Sequence, residues 1–294
     1  MTFDEFKAIV LKEFPGLTGE QLERFAQMEA LYKEWNSRIN VISRKDIDGF
    51  YEHHVLHSLA IAAYWLRSAS AGIPVIPGLS PVLSAPDLIP STPDHSSAAS
   101  GFSDCTHGHS SAASDFSDCT HGHSSAASNF SDCTHGPTMS PRFTVLDVGT
   151  GGGFPGIPLA VMFPDIDFTL CDSVGKKTLV AREVASALGL QNVTVVNARA
   201  ESLPDSYDFV VSRAVTTLEN FYPWVRGKFR GSIFYLKGGD VNEEISQLMR
   251  RNRLKKGSVR TWRIDNWLKE EYFQEKFVIQ IEKDYLCSPI AENI

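Results

Sequence analysis

Residues 143 to 156 read Phe-Thr-Val-Leu-Asp-Val-Gly-Thr-Gly-Gly-Gly-Phe-Pro-Gly. An apolar run with strand character ends around an acid, Asp147, and passes into glycines at positions 149, 151 and 153. Alternate glycines let a chain turn sharply and bring its backbone N–H groups close to a ligand, because no Cβ stands in the way. A loop that merely turned would carry the entropy cost of those glycines with no structural return. The segment therefore predicts a β-strand whose carboxyl end borders a nucleotide-type ligand, and with it an α/β fold.

The next apolar run, 168 to 172, ends in Asp172, about 20 residues past the first glycine, where a carboxylate can accept hydrogen bonds from ribose hydroxyls. Two ligands fit the pattern. Gly151-x-Gly153-x-x-Gly156 satisfies the dinucleotide spacing, a weak match by itself. The acid-x-Gly-x-Gly-x-Gly arrangement from Asp147 suits S-adenosylmethionine, which has no pyrophosphate and carries an ammonium that a nearby carboxylate favours. Pro155 and Pro158 confine the following helix to a start near Gly156, since proline is tolerated only in a first turn.

Strands are expected at 143–148, 168–172, 193–197, 208–212, 232–237 and 276–282, and helices near 156–163, 175–188, 217–226 and 242–251. Such alternation predicts a mostly parallel, Rossmann-like sheet covered on both faces, with ligands at the carboxyl ends of its strands. The final strand follows without a clear crossover helix, which points to an antiparallel edge strand. A small helical region precedes this core. Thr18-x-x-Gln21 forms a capping box, and Leu22, Phe25, Met28, Leu31, Tyr32 and Trp35 make one packing stripe. A second helix from about Ile47 to Leu66 carries His53 and His57 four apart, a spacing open to metal chelation, to packing, or to contact near the cofactor mouth.

Between these regions, residues 71–141 read as an insertion. Ile73 to Pro93 holds six prolines, and a 14-residue unit, His-Ser-Ser-Ala-Ala-Ser-x-Phe-Ser-Asp-Cys-Thr-His-Gly, occurs three times over 95–136. Each unit offers too little apolar surface to offset the entropy of ordering it, so disorder is the expectation, with domains at 1–70 and 142–294 on either side. Cys105, His107 and His109 end one unit at single-residue gaps that fit zinc poorly. The odd count of five cysteines implies no disulfide framework.

At this point a resemblance becomes specific. Leu146 to Leu159, Asp172-Ser-Val-Gly-Lys-Lys177, Arg199-Ala-Glu201, Val211-Ser-Arg-Ala214 and Leu236-Lys-Gly-Gly239 resemble the bacterial 16S ribosomal RNA guanine-N7 methyltransferases, also called the glucose-inhibited division protein B family. Leu31 to Arg44 and Glu52 to Ser58 look like that family's leader, so the similarity covers 1–68 and 142–283. It implies an S-adenosylmethionine-dependent enzyme acting on 16S rRNA or the small ribosomal subunit. On this reading the backbone at Gly149, Gly151 and Phe154 borders the methionine and ribose, and Asp172 takes the ribose hydroxyls. Ala200 and Glu201 bracket the adenine, Arg213 contacts the cofactor at the exit of the fourth strand, and Arg199 and Lys237 hold RNA phosphate. No side chain is needed as a general base, because N7 of guanine is already a lone pair. A methyltransferase of the same fold acting on a small molecule or protein, or a nicotinamide-dependent oxidoreductase, are the other readings.

The formal charge of −7 argues against a generally basic nucleic-acid binder, but Arg250 to Arg263 holds seven Lys or Arg and no acid. That segment is either a phosphate-contacting patch or a solvated basic loop. The sequence has no apolar run of about 18 residues, which excludes a membrane helix. Its opening lacks a secretory signal, so a cytoplasmic monomer is expected.

Overall fold

The computed structural model describes residues 1–43, 46–70, 142–203 and 206–283. The chain divides into two compact units, Met1–Ser84 with Pro141–Ile294, and Ala85–Ser140, and the described residues belong to the first. The proline-rich leader, the repeats and their cysteines and histidines lie outside the described residues.

Strands β1 (Thr144–Val148), β2 (Asp167–Asp172), β3 (Val193–Asn197), β4 (Phe209–Arg213), β5 (Ser232–Gly238), β6 (Val259–Arg263) and β7 (Lys276–Glu282) form one sheet in the order β3-β2-β1-β4-β5-β7-β6. The first five strands pair in parallel, and β7 runs antiparallel to both β5 and β6. The expected antiparallel pairing of the last strand is present, but β7 is not the edge. β6 occupies it, a strand the sequence reading missed. Its side chains are partly buried at Val259 and Trp262 and exposed at Arg260, Thr261 and Arg263, so Val-Arg-Thr-Trp-Arg carries no apolar run to announce it, and charge on an exposed edge blocks pairing with other chains.

Strand order reverses between β1 and β4, which leaves a crevice at their carboxyl ends. Around the sheet lie α4 (Gly156–Met162), α5 (Gly175–Ala187), α6 (Leu218–Val225) and α7 (Asn242–Asn252), with α1 (Phe3–Glu13), α2 (Gly19–Arg38) and α3 (His57–Ser70) contributed by the amino-terminal region. The helical region packs onto the core through hydrogen bonds as well as apolar side chains. Gln21 donates to the carbonyls of Val161 and Met162 at 2.9 and 3.0 Å, and Arg24 donates to Leu188 O at 3.1 Å, so the first turn of α2 satisfies carbonyls at the carboxyl ends of α4 and α5. The Thr18–Gln21 capping box forms as expected, and Phe25, Met28 and Tyr32 of the stripe are buried.

The single helix expected over 47–66 is two elements. Phe50–Leu56 is a π-helical turn that leads directly into α3. Such turns are rare and concentrate at functional sites. The wider turn brings His53, His54 and His57 to the wall of one cavity.

Candidate functional site

Two cavities open at the carboxyl ends of the parallel strands, and Val215 lines both. The smaller, about 300 Å³, is walled by Gly149, Asp172, Arg199, Ala200, Glu201 and Trp224. Gly149 has φ +69°, and a Cβ there would stand 2.4 Å from Val215 Cγ2. An L side chain is excluded both by backbone strain and by contact. Asp172 stands at the end of β2 with Oδ2 accepting from Gly151 N at 2.9 Å and Oδ1 from Val174 N at 2.8 Å. Each oxygen keeps a lone pair for a hydroxyl donor.

Gly151 and Phe154 line neither cavity. In place of the expected direct contact they hold the loop in shape. The Gly151 N–H is committed to Asp172, and Phe154 N donates to Thr150 O at 2.9 Å. The Phe154 ring packs against Tyr32, and the Arg213 guanidinium lies 5.1 Å from its centre. Tyr32 in turn donates to Gly152 O at 2.8 Å, so a residue of the packing stripe also braces the glycine loop.

Asp147 sits beneath that loop and does not face a ligand ammonium as its spacing suggested. It is fully buried, and its Oδ2 accepts from Thr150 Oγ1 at 2.6 Å and Gly156 N at 2.8 Å, which ties the loop to the start of α4. Burial raises its carboxyl to about 7, against those two hydrogen bonds, which favour the ionised form.

The larger cavity, about 660 Å³, is assembled from three distant stretches: Asp46 to His57, Arg213 to Gly238, and Tyr272 to Lys276. Arg213 is placed by the end of β4. It donates to His53 O and faces His54 Nδ1, both at 3.0 Å, and makes no ion pair among the described residues. Because Arg only donates, His54 Nδ1 is the acceptor, and the His54 proton resides on Nε2. Burial first, and Arg213 second, depress His54 to about 3 and hold His57 well below its ordinary value, so both rings are neutral. Next to Arg213, Ala214 takes φ +51°, a left-handed conformation rare for a non-glycine residue, at the junction of the two cavities. The turn is pinned by Tyr235 Oη, which accepts from Val215 N and Thr216 N at 3.1 Å each.

On the opposite side of the sequence, Tyr272 stacks on His53 with ring centres 3.9 Å apart, and Lys276 Nζ lies 4.3 Å from the Tyr272 ring centre. His53 and His57 thus meet an aromatic ring, and among the described residues no group of three His, Cys, Asp or Glu is arranged to hold a metal.

The two residues expected on RNA phosphate separate. Arg199 borders the smaller cavity. Lys237 borders the larger one, but its ammonium is already engaged by Glu244 at 3.0 Å and Thr216 O at 3.2 Å. The basic stretch from Arg250 to Arg263 is also not free of acids in space, contrary to its appearance in sequence. Arg250 pairs with Glu243, Arg251 with Glu219, Arg260 with Glu282 and Arg263 with Asp265. It is neither a loop nor an unpaired patch, because it spans the end of α7, a turn and β6.

The family model for GidB, rRNA small subunit methyltransferase G, matches residues 125–265. Ribosomal RNA small subunit methyltransferase G of Christiangramia forsetii is 33% identical over 285 residues, covering 94% of this chain and 97% of that protein. The protein of the same name from Bacteroides thetaiotaomicron is 36% identical over 279 residues, with 92% and 97% covered. This chain belongs to the ribosomal RNA small subunit methyltransferase G family. Among solved structures, magnesium protoporphyrin IX methyltransferase from Synechocystis PCC 6803 shares 15% identity over 49% of this chain and 71% of its own, at a TM-score of 0.39 that adds no weight. Membership in a methyltransferase family decides against the nicotinamide reading of the glycine loop.

Sequence reasoning missed Trp224 and Val215 in the smaller cavity, and Asp46, His54, Tyr272 and Lys276 in the larger. No short motif holds the latter set, because their spacing exists only in three dimensions.

Proposed function

We propose that this chain transfers a methyl group from S-adenosylmethionine to N7 of a guanine in 16S ribosomal RNA, acting in the cytoplasm as a monomer on the small ribosomal subunit during its biogenesis. The observation that carries the reading is the pair of cavities sharing Val215 at the β1/β4 reversal, in a chain of this family.

The residues of the smaller cavity fit the methyl donor. Asp172 offers acceptors to ribose hydroxyls, Ala200 and Glu201 border the adenine, and the bare backbone at Gly149 lets Val215 pack against the loop beside which the methionine portion would lie. Gly151 and Phe154 act from behind, by fixing Asp172 and the loop. S-adenosylmethionine supplies a methyl group on a cationic sulfur, which a neutral nucleophile attacks without prior loss of a proton. Arg213, with no carboxylate partner, is suited to an anionic group of cofactor or RNA. It does not read the Hoogsteen edge of the base bidentately, because that would occupy the lone pair that must react.

The protein's contribution is placement. Tyr235 fixes the Ala214–Thr216 turn against the donor side, and the Tyr272–His53 stack lines the wall beside which a splayed base would sit. Orientation of this kind supplies up to about 7–11 kcal/mol of barrier reduction. Residues 71–141 are proposed to be a dispensable insertion. The test is tritium transfer from labelled S-adenosylmethionine to unmodified small subunits, followed by mapping of the labelled atom. Label at N7 of one guanine is expected, and label confined to protein or small molecules would overturn the reading.

A further inference from the structure

Transfer to N7 leaves a question that the chemistry of the methyl donor does not answer, since adenine offers the same N7 lone pair. Discrimination comes either from the edge beside N7, where guanine O6 accepts and the adenine N6 amino group donates, or from the far edge of the ring, where guanine presents two adjacent donors, N1–H and the N2 amino group, while adenine presents an acceptor at N1. Two adjacent donors call for a carboxylate.

Among the described residues, the walls of the larger cavity hold one carboxylate, Asp46, beside the cations Arg213, Lys237 and Lys276. Lys237 is neutralised by Glu244, so Asp46 is the anionic group left to meet a base there. Its carboxylate is held from the side: Ser43 Oγ donates to Oδ2 at 2.5 Å, and His53 Nδ1 lies 3.3 Å from Oδ1. Each oxygen retains a free lone pair, and nearly half of the side chain is exposed to the cavity and solvent. The Ser43 hydroxyl, followed by His53, lowers Asp46 from its ordinary value and keeps it ionised at neutral pH. The same His53 ring stacks on Tyr272, which couples the carboxylate to the aromatic wall of the cavity.

We propose that Asp46 is the specificity-determining residue for guanine, accepting hydrogen bonds from N1–H and the N2 amino group of the base whose N7 is methylated. The proposal rests on the methyl-transfer reading above. It also explains a catalytic requirement. Forming the N7–CH3 bond as the S–CH3 bond breaks moves a positive charge from sulfur to the guanine ring, and that charge acidifies N1–H. The hydrogen bond to Asp46 therefore strengthens as the transition state is approached, which is the condition for lowering the barrier and not merely binding the base.

The experiment uses the full chain and small subunits reconstituted with 16S rRNA carrying either guanosine or inosine at the methylated position. Inosine keeps N7, O6 and N1–H and lacks only the N2 amino group. Wild-type protein should methylate the guanosine subunits at least about fivefold more efficiently in kcat/KM than the inosine subunits. Asp46→Asn should lower kcat/KM on guanosine subunits by roughly 5- to 150-fold, erase the guanosine preference, and leave calorimetric affinity for S-adenosylmethionine unchanged. A wild-type enzyme indifferent to the N2 amino group would overturn the proposal without recourse to any variant. So would an Asp46→Asn protein that kept the preference. If wild-type protein placed no methyl group on N7 in any subunit, the failure would lie in the proposed function, and the assignment of Asp46 would fall with it.

Discussion

The two cavities are built in opposite ways. The smaller is made mostly of residues that end or follow strands β1, β2 and β3, joined by Val215 and Trp224, so most of its wall is short pieces of local sequence whose backbone does the work: a left-handed glycine, a carboxylate fixed by two N–H groups, a turn after β3. The larger is made of side chains from three stretches, one of them more than 150 residues from the other two, held together by Arg213 reaching back to His53 and His54. A backbone-built cavity depends on the absence of atoms. A side-chain-built one depends on a network of polar contacts, and the two should fail differently under substitution and pH.

The largest effect is expected at the point where the two touch. Gly149→Val places a β-branched side chain at φ +69° and drives its Cβ into Val215, which lines both cavities. Calorimetric binding of S-adenosylmethionine should fall below detection, with a folded circular dichroism spectrum. Undiminished affinity in a folded variant would mean that the donor does not lie against this loop.

Arg213→Ala attacks the larger cavity alone. Removal of the guanidinium leaves His54 Nδ1 without its donor and His53 O with Tyr272 Oη alone. Turnover at saturating RNA should fall by about 100-fold through lost positioning, while donor affinity falls less. Equal losses in both would show that Arg213 serves mainly the cofactor.

How much of this was legible in the sequence follows from the same contrast. The glycine loop, Asp172 and the Ala200–Glu201 turn could be read because the physical constraint, a bare backbone or an acid at a strand end, is written in consecutive residues. Asp46 and Tyr272 could not, since neither lies in a patterned stretch and their juxtaposition depends on how the amino-terminal region docks. The π-helical turn was invisible for a related reason: its residues suit an ordinary helix, and only packing of Phe50, Tyr51 and His54 against Phe154 and its neighbours selects the wider one. By contrast, α1 had a readable start, the Thr2–Glu5 capping box, that went unread. The ion pairs of the basic stretch were hidden because its partner acids, Glu219, Glu243, Asp265 and Glu282, all lie outside residues 250–263.

pH should separate the two regions by sign. His54 titrates near 3 in the native protein against an ordinary 6.5, and His57 is depressed in the same direction. Below pH 6.5 the unfolded chain takes up protons that the native larger-cavity wall refuses, so stability is lost as pH falls toward 4. Asp147, under the glycine loop, has a native value of about 7 against an ordinary 3.8, so the native state holds a proton that the unfolded state lacks, and this contribution fades as pH rises through that window. Two histidines against one carboxyl leave a net loss of stability on acidification between pH 6 and pH 4. Urea midpoints at pH 6.5 and 4.5 measure it. His54→Gln keeps an acceptor for Arg213 and removes one titrating ring, so its midpoint should depend visibly less on pH, and parallel curves for variant and wild type would reject the assignment.

The smallest effect tests whether every glycine of the loop matters as Gly149 does. Gly151 also has a positive φ, +56°, yet a Cβ there would meet nothing nearer than Lys177 Cδ at 4.0 Å. Its functional atom is the N–H donated to Asp172, which any residue but proline supplies. Asn tolerates the left-handed region better than other side chains, so Gly151→Asn should cost about 1 kcal/mol or less in stability and change donor affinity by no more than a few-fold. The same substitution at Gly149 should abolish binding, because there a Cβ meets Val215 at 2.4 Å regardless of which residue carries it. Equal damage at the two positions would mean that the donor fills the open space above Gly151 as well, and that the smaller cavity extends along the loop toward Lys177.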